Sequence, residues 1–328
     1  MATQIAPLPY TKSEARAYAK STILDWYDCP TTPWLPDGSL DEEGLRNNIE
    51  QYIEMGETGL VLGGFVAEAW NTTVTEWMRY HEVAADAAAG RIPLHTIIFD
   101  PSVHQAMEKL DYVQSLGYLG AEVVTPIVQL RTDDEIFDYF NYLAEHSDLG
   151  LLYYRSAVSG HLISLELSAR LANEIPTMVG MKQGSLNGDD SVKLRSMVPD
   201  DFIVSEPIER HWLADLREGG QVQYGGFFHI AYGKKRHLLE EYTALARDGQ
   251  WEAAYAISKR LDPVRDLLDE LMLRPVSQTF TYATTLRNVK VWMEAIGLAA
   301  GPMRAPIQQI APERREQIID QLQEIGVI

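Results

Sequence analysis

The chain has 328 residues, of which 46% are hydrophobic, and a formal net charge of −19 at pH 7. This acidic balance argues against nucleic acid or an anionic membrane surface as a partner. The single cysteine, Cys29, excludes an intrachain disulfide framework and favours a reducing cytoplasm. The first residues contain no apolar secretory core, and no run of about 18 apolar residues could cross a membrane. We therefore expect a soluble, cytoplasmic, globular protein.

In chain order, residues 1–21 are predicted to form an irregular N-terminal arm. Residues 22–247 contain eight short β-rich runs that alternate with helical patterns. Near-continuous apolar runs between helices indicate a parallel sheet that is covered on its outer face. Eight such units favour a closed α/β barrel, the (β/α)8 TIM barrel. The runs cover residues 22–27, 59–64, 92–99, 120–125, 149–154, 177–182, 201–205 and 221–226.

Strand patterns stop beyond the barrel, and residues 248–328 are predicted to form a C-terminal helical domain. Its three helices are expected over residues 251–270, 281–298 and 312–325, with breaks at Pro275 and at Gly301-Pro302. A few amphipathic helices need a surface that covers their apolar stripes. We therefore expect this appendage to pack on the barrel or on another subunit.

The most informative stretch is IPTMVGMKQGSL, residues 175–186, in which an apolar strand runs directly into Lys182. A strand that is buried on both faces offers no ordinary solvated position for an ammonium group. Lys182 therefore needs a partner, a water-filled pocket or a chemical role. The alternative is a lysine just past the strand end that extends its ammonium group to solvent.

Other reactive side chains also follow predicted strands, at the end of the barrel where TIM barrels carry their chemistry. Tyr153 and Tyr154 end the strand before that of Lys182, and Arg155 comes directly after them. A neutral amine can attack a carbonyl group to form an imine, and a phenol can move the protons that this reaction requires. The pair of lysine and tyrosine therefore indicates imine chemistry.

Several segments together resemble the dihydrodipicolinate synthase / N-acetylneuraminate lyase family of Schiff-base (class I) aldolases and lyases. They are GRIPLHTII, GAEVVTPI, AEHSDLGLLYYRSAVSG, VGMKQGSLN and VKVWMEAIGLAAGPMRAP. The resemblance runs from about Thr22 to the end of the chain. It implies a (β/α)8 barrel with a C-terminal helical domain, no cofactor, and a homo-oligomer, usually a tetramer.

The resemblance also implies roles for two residues. Lys182 matches the imine-forming lysine, and Tyr153 matches the proton-relay phenol. Tyr153 precedes Lys182 by 29 residues, which is close to the separation in the family. The prediction is therefore a catalytic pair of Lys182 and Tyr153.

The loop after the second strand departs from the family pattern. Family members usually have a G-T-T-G-E-like loop whose hydroxyl and amide groups hold the carboxylate of a 2-oxo acid. Here Gly64 and Glu68 are kept, but Phe65 and Val66 replace the two hydroxyl residues. An unpaired buried anion would be costly in such an apolar loop. We expect these four residues to bind a substrate that is more hydrophobic than pyruvate with an aldose.

Two further positions differ from the family. The tyrosine that often follows VTP is absent from Pro126-Ile127-Val128, and Val158 occupies the position of a frequent arginine. Either the substrate is not a simple pyruvate, or its carboxylate is bound differently, by Arg155, which lies nearby, or by backbone amides. Tyr224, at the end of the eighth strand, is predicted to line the pocket.

The sequence thus predicts a carbon–carbon lyase that acts on a 2-oxo acid-like carbonyl compound through a lysine imine. One alternative is a hydro-lyase or deaminase that uses the same imine. Another is a non-catalytic paralogue that binds a small molecule. A metal site is not expected, because the eight histidines show no HxxxH spacing and one cysteine cannot build a thiolate site. The expected assembly is a homotetramer or a dimer.

Overall fold

The structure, a computed structural model, describes residues 6–126, 128–185 and 187–328. Eight parallel strands lie side by side in the order β7-β6-β5-β4-β3-β2-β1-β8 and curl into a nearly closed barrel. This arrangement confirms the predicted (β/α)8 fold. The strands are β1 Asp25–Asp28, β2 Gly59–Leu62, β3 Leu94–Ile98, β4 Gly120–Val124, β5 Gly150–Ser156, β6 Met178–Gly184, β7 Ile203–Ser205 and β8 Val222–Tyr224.

Helices surround the barrel and continue beyond it. Several begin with a hydroxyl side chain that accepts a hydrogen bond from the first turn, as Thr73 and Thr132 do. Within the described residues, no helix combines the length and apolarity needed to span a bilayer. The helices are α1 Ala15–Thr22, α2 Glu42–Met55, α3 Val74–Ala88, α4 Val103–Ser115, α5 Asp133–His146, α6 Leu165–Glu174, α7 Gly188–Arg195, α8 Trp212–Arg217, α9 Phe228–Ala231, α10 Arg236–Arg247, α11 Trp251–Ser258, α12 Asp262–Leu268, α13 Arg274–Thr279, α14 Leu286–Ala295 and α15 Pro312–Glu324.

A serine side chain connects β7 and β8, the two strands at the ends of the strand order. The Ser205 hydroxyl of β7 donates to the carbonyl oxygen of Val222 at 2.9 Å and accepts from the backbone N–H of Tyr224 at 3.0 Å. Both β7 and β8 are only three residues long. One hydroxyl therefore satisfies backbone groups that a longer ladder would pair.

The strands separate two apolar clusters, because successive side chains point to opposite faces of a strand. The outer cluster fills the space between strands and helices, and the inner cluster fills the barrel. Tyr153 belongs to the outer cluster and Tyr154 to the inner cluster. This alternation decides which residues can reach the mouth of the barrel.

The sequence analysis expected an irregular N-terminal segment. Residues 15–22 instead form helix α1. Ala15 and Ala19 of this helix are buried in the inner cluster. Arg16 donates to the carbonyl oxygens of Ile175 at 2.8 Å and Met178 at 3.0 Å. Small alanine faces allow the helix to lie close against the ends of the strands, so it covers the amino end of the barrel.

The predicted break at Pro275 is also wrong, because the chain stays helical through it. A π-helical turn at Asp269–Leu273 connects α12 to α13, and Pro275 lies in the first turn of α13. Proline cannot donate to the carbonyl four residues earlier, that of Leu271. The side chain of Asn288 donates to that oxygen at 2.9 Å instead. The helix continues because a neighbouring helix satisfies the carbonyl.

Candidate active site

Lys182 lies at the carboxyl end of β6 and points into the barrel, with 7% of its surface exposed. Its Nζ donates to the carbonyl oxygen of Gly225 at 2.8 Å. The same nitrogen lies 4.3 Å from the ring centroid of Tyr154. Among the described residues no carboxylate forms a direct ion pair with it. This differs from the other buried lysine, Lys290, which pairs with Glu68 at 2.8 Å.

The amine faces a cavity of about 660 Å³, including the part open to solvent. Its lining comes from the strand ends, from the loops after them and from the C-terminal helices. Its walls are largely apolar and aromatic, which is typical of small-molecule sites. Among the described lining residues, Lys182 is the only one with a charged side chain. The apolar part of the lining includes Val66, Val158, Ile208, Phe227, Phe228, Met272, Leu273, Val276, Phe280 and Tyr282.

The tyrosine beside Lys182 is Tyr154, and this corrects the expectation for Tyr153. In the pairing of β5 with β6, Tyr154 lies opposite Lys182 while Tyr153 lies opposite Met181. Neighbouring parallel strands point paired residues to the same face, so Tyr153 faces the helices. Its ring packs edge-on against Phe140 of α5 at 5.0 Å. Tyr153 therefore cannot contact the amine.

Tyr154 is held in an aromatic group at the mouth of the barrel. Its hydroxyl lies 3.5 Å from that of Tyr282, and its ring lies 6.2 Å from that of Phe65. Burial raises the pKa of Tyr154 to about 12. The phenol is therefore protonated at neutral pH and can donate a proton.

Gly225, directly after β8, makes room for the amine. Its backbone has φ of +68°, a region that favours glycine. A methyl group on its Cα would lie 2.7 Å from Nζ of Lys182. Any other residue at this position would therefore push the lysine out of its place.

The loop after β2 contributes two of its predicted residues to the mouth of the barrel. Val66 lines the cavity of Lys182. Phe65 stacks on Phe99 at 5.2 Å and on Tyr282 at 6.2 Å, and it lines a second, adjacent cavity of about 480 Å³. Gly64 faces the interior instead, where a Cβ atom would lie 2.7 Å from Sγ of Cys29. Gly64 is therefore placed for packing and does not line either cavity.

Glu68 does not lie in the cavity. Its carboxylate accepts from Nε1 of Trp34 at 3.1 Å and from the backbone N–H of Arg304 at 3.3 Å, besides its ion pair with Lys290. The side chain is fully buried. Glu68 therefore joins the loop after β2 to the C-terminal region, and the expectation that it contacts substrate is not met by its geometry.

Arg155 and Tyr224 also lie away from the cavity. Arg155 alternates with Tyr154 and points outward, where it pairs with Asp190 at 2.8 Å and donates to Gln183 at 3.0 Å. Tyr224 points into the barrel, but its hydroxyl lies 2.9 Å from Nδ1 of His95, below the cavity lining. The predicted carboxylate contact of Arg155 and the pocket position of Tyr224 are therefore corrected.

The stretch after β4 is only partly described, since Ile127 lies outside the described residues. Thr125 and Val128 line the second cavity, and Val158 lines both cavities. The Thr125 hydroxyl lies 3.0 Å from that of Tyr153. Val158 is thus the position from which a longer side chain would reach both spaces.

Glu122 is a residue that the sequence analysis did not single out. It lies on β4, fully buried on the inner face, and neither of its carboxylate oxygens has a hydrogen-bond partner among the described residues. Burial raises its pKa, and Lys182 opposes that rise. A glutamate inside the apolar run GAEVVT was the available signal, because an unpaired acid is rare in a buried strand.

Comparison with known proteins assigns the chain to a family. The model of the dihydrodipicolinate synthetase family matches residues 26–325. The chain belongs to this family. The match confirms the resemblance seen in the sequence and identifies the protein as a carbon–carbon lyase of the class I aldolase type. Within the described residues, no group of three or more His, Cys, Asp or Glu side chains could hold a metal ion.

Named relatives agree with the assignment to the dihydrodipicolinate synthetase family. The 4-hydroxy-tetrahydrodipicolinate synthase of Methanopyrus kandleri is 25% identical over 299 residues, 90% of this chain and 94% of that protein. The enzyme of the same name from Herminiimonas arsenicoxydans is 27% identical over 300 residues, 90% of this chain and 96% of that protein.

Solved structures share the family fold. Dihydrodipicolinate synthase from Aquifex aeolicus has a TM-score of 0.80 at 21% identity and covers 93% of this chain and 98% of its own. Proteus mirabilis N-acetylneuraminate lyase also has a TM-score of 0.80, at 18% identity, and covers 94% of this chain and 100% of its own. At these identities the likeness concerns the fold alone.

Proposed function

We propose that the protein forms a Schiff base between Lys182 and a carbonyl substrate and then cleaves or forms a carbon–carbon bond. The proposal depends on one observation. The Lys182 amine, held by a single backbone carbonyl and the face of Tyr154, is directed into a largely apolar cavity. Such an amine is free to react, whereas Lys290 is fixed by a carboxylate and three carbonyl oxygens.

Imine formation requires the uncharged form of the amine. Nζ of Lys182 attacks the carbonyl carbon, and the oxygen leaves as water after it has gained protons. The resulting cationic imine accepts the electron pair of the neighbouring carbon–carbon bond as that bond breaks. We propose that Tyr154, in place of Tyr153, moves protons in these steps, because its phenol is protonated and borders the same cavity.

The substrate class is proposed from the cavity walls. Phe65 and Val66 stand where related proteins carry hydroxyl residues, and Arg155 is engaged by Asp190. The carboxylate of a 2-oxo acid would find the hydroxyl groups of Ser156 and Ser185 but no charged partner other than Lys182 in the described lining. An apolar or aromatic aldehyde or ketone is better suited to such walls.

Reductive trapping tests the proposal. The protein is incubated with sodium cyanoborohydride and either pyruvate or benzaldehyde, and the modified lysine is located by peptide mass spectrometry. We expect an adduct on Lys182, with benzaldehyde more efficient than pyruvate. The Lys182→Met variant should lose this adduct and keep its fold. Absence of an adduct on Lys182 with every probe would overturn the imine proposal, and efficient trapping of pyruvate alone would overturn the hydrophobic substrate.

The alternatives give different results in the same assay. A hydro-lyase or deaminase would also form the Lys182 adduct but would release water or ammonia without breaking a carbon–carbon bond. A binding paralogue would hold the carbonyl compound without turnover. Product analysis after trapping therefore separates the three.

We further expect a homo-oligomer, a dimer or a tetramer, located in the cytoplasm, where its single buried thiol would stay reduced.

A further inference from the structure

The Glu122 side chain is enclosed by apolar neighbours. It lies opposite Ile97 of β3 and Leu152 of β5 in the strand pairing, and both belong to the inner cluster. Both of its oxygens are buried without a hydrogen-bond partner among the described residues. A carboxylate in such a position is expensive and would be replaced by an apolar side chain if packing alone were required.

The nearest opposite charge is the amine of Lys182. A methyl group on the Cα of Gly225 would lie 2.7 Å from Nζ of Lys182 and 3.2 Å from Oε2 of Glu122. The two groups thus face the same small space, which Gly225 leaves empty. They make no direct ion pair, so the carboxylate does not fix the amine in place.

We propose that Glu122 is the counter-charge of the two cationic forms of the Lys182 nitrogen, the ammonium before the reaction and the protonated imine after it. It acts through Lys182 and is therefore a positioning residue. The inference rests on the proposed imine chemistry and adds a residue to it. Glu122 is fully buried and is not among the described residues that line the cavity of Lys182.

The charges balance in this arrangement. The lysine ammonium and a carbonyl compound give a cationic imine and one molecule of water. A carbon–nitrogen bond forms, the carbonyl oxygen leaves with two protons from the ammonium, and the third proton stays on nitrogen. One positive charge is present on the nitrogen before and after the reaction. A single fixed carboxylate can therefore stabilise both states without gaining or losing a proton.

The other titratable groups near this pair stay uncharged at neutral pH. Burial raises the pKa of Cys29 and of Tyr154 to about 12, and it raises those of Tyr224 and Tyr282 further. Burial lowers the pKa of His95 to about 3. These five groups therefore do not contribute a change of charge between about pH 5 and 9.

The test is the pH profile of reductive trapping at Lys182, measured with benzaldehyde and cyanoborohydride from about pH 5 to 9. In Glu122→Gln the nitrogen loses its counter-charge, so both the ammonium and the cationic imine give up their protons at lower pH. An opposite charge within about 4–6 Å changes a pKa by roughly 1–3 units, so we expect the profile to move to lower pH by that amount. Glu122→Asp, which keeps the charge, should move it less.

A second variant separates this role from a structural one. Glu122→Leu matches the apolar neighbours Ile97 and Leu152, so it should unfold at the same temperature as the wild type or higher while it moves the profile as Glu122→Gln does. An unmoved profile in either folded variant, or equal movement in Glu122→Asp, would overturn the inference and leave the imine proposal intact. Absence of trapping in the wild type would overturn both.

Discussion

Nζ of Lys182 lies over the ring of Tyr154, 4.3 Å from its centroid, while the adjacent Tyr153 points to the opposite side of the strand. We predict that Tyr154→Phe keeps the ring but lowers the rate of imine formation by about 100-fold or more, since it removes the proton donor. Rapid-quench trapping at Lys182 measures this rate.

Tyr153→Phe is the matched control, because it removes the same hydroxyl one residue earlier. It should leave the trapping rate within a factor of about two and lower the free energy of unfolding by about 1 kcal/mol, since its hydrogen bond with Thr125 is lost. If Tyr153→Phe slowed trapping as strongly as Tyr154→Phe, the assignment of the phenol from strand register would be wrong.

Val158 offers a way to change the substrate preference. Its side chain lines the cavity of Lys182 and is partly buried. In Val158→Arg a guanidinium group would enter the edge of the cavity, where charged hydrogen bonds are worth about 1.5–3 kcal/mol. We expect trapping of pyruvate to improve about tenfold or more relative to benzaldehyde. Val158→Gln, of similar length but uncharged, should change the ratio little, and an equal gain in both variants would contradict a charge effect.

The ion pair of Glu68 with Lys290 is predicted to be structural. Glu68→Gln leaves the buried ammonium without its counter-charge, which typically costs about 3–5 kcal/mol of unfolding free energy. Urea unfolding measures the change. Glu50→Gln, which affects an exposed pair with Arg91, should have a much smaller effect. The Glu68 variant should still form the Lys182 adduct. Loss of trapping in the folded variant would contradict a purely structural role and indicate that Glu68 contributes to the active site.

His229 should make stability depend on alkaline pH. Burial opposes its charged form, but the carboxylates of Glu57 at 2.5 Å and Glu240 at 3.0 Å outweigh burial and raise its pKa to about 9. The folded pKa thus lies above the unfolded value of about 6.5, so the stabilisation is full below about pH 6.5 and is lost as pH rises through about 9. Its size is about 3 kcal/mol.

Thermal melts between about pH 6 and 10 measure this dependence. His229→Gln should melt lower than the wild type at the acidic end of this range, and the gap should narrow towards the alkaline end. A constant gap across this range would show that His229 does not carry the charge in the folded protein.

The sequence determined the class of fold and singled out Lys182 as the candidate reactive lysine. Eight apolar runs that alternate with helical patterns indicate a parallel sheet covered by helices. The spacing of apolar residues shows which faces of each strand and helix are buried. Lys182 could be found because the end of a buried strand gives an ammonium group little access to water, so its presence there points to a chemical role. Both features follow from local sequence patterns, which can be recognised without the tertiary structure.

Only the tertiary structure decided which side chains share the cavity. Tyr153 and Tyr154 are equivalent in composition and differ by one residue, and a one-residue step along a strand reverses the face. The register against β6 and the packing on α5 select Tyr154. The contacts of Arg155 and Glu68, and the role proposed for Glu122, depend on residues that are distant in sequence. Their roles follow from which charges the closed barrel brings together, and no local pattern contains that information.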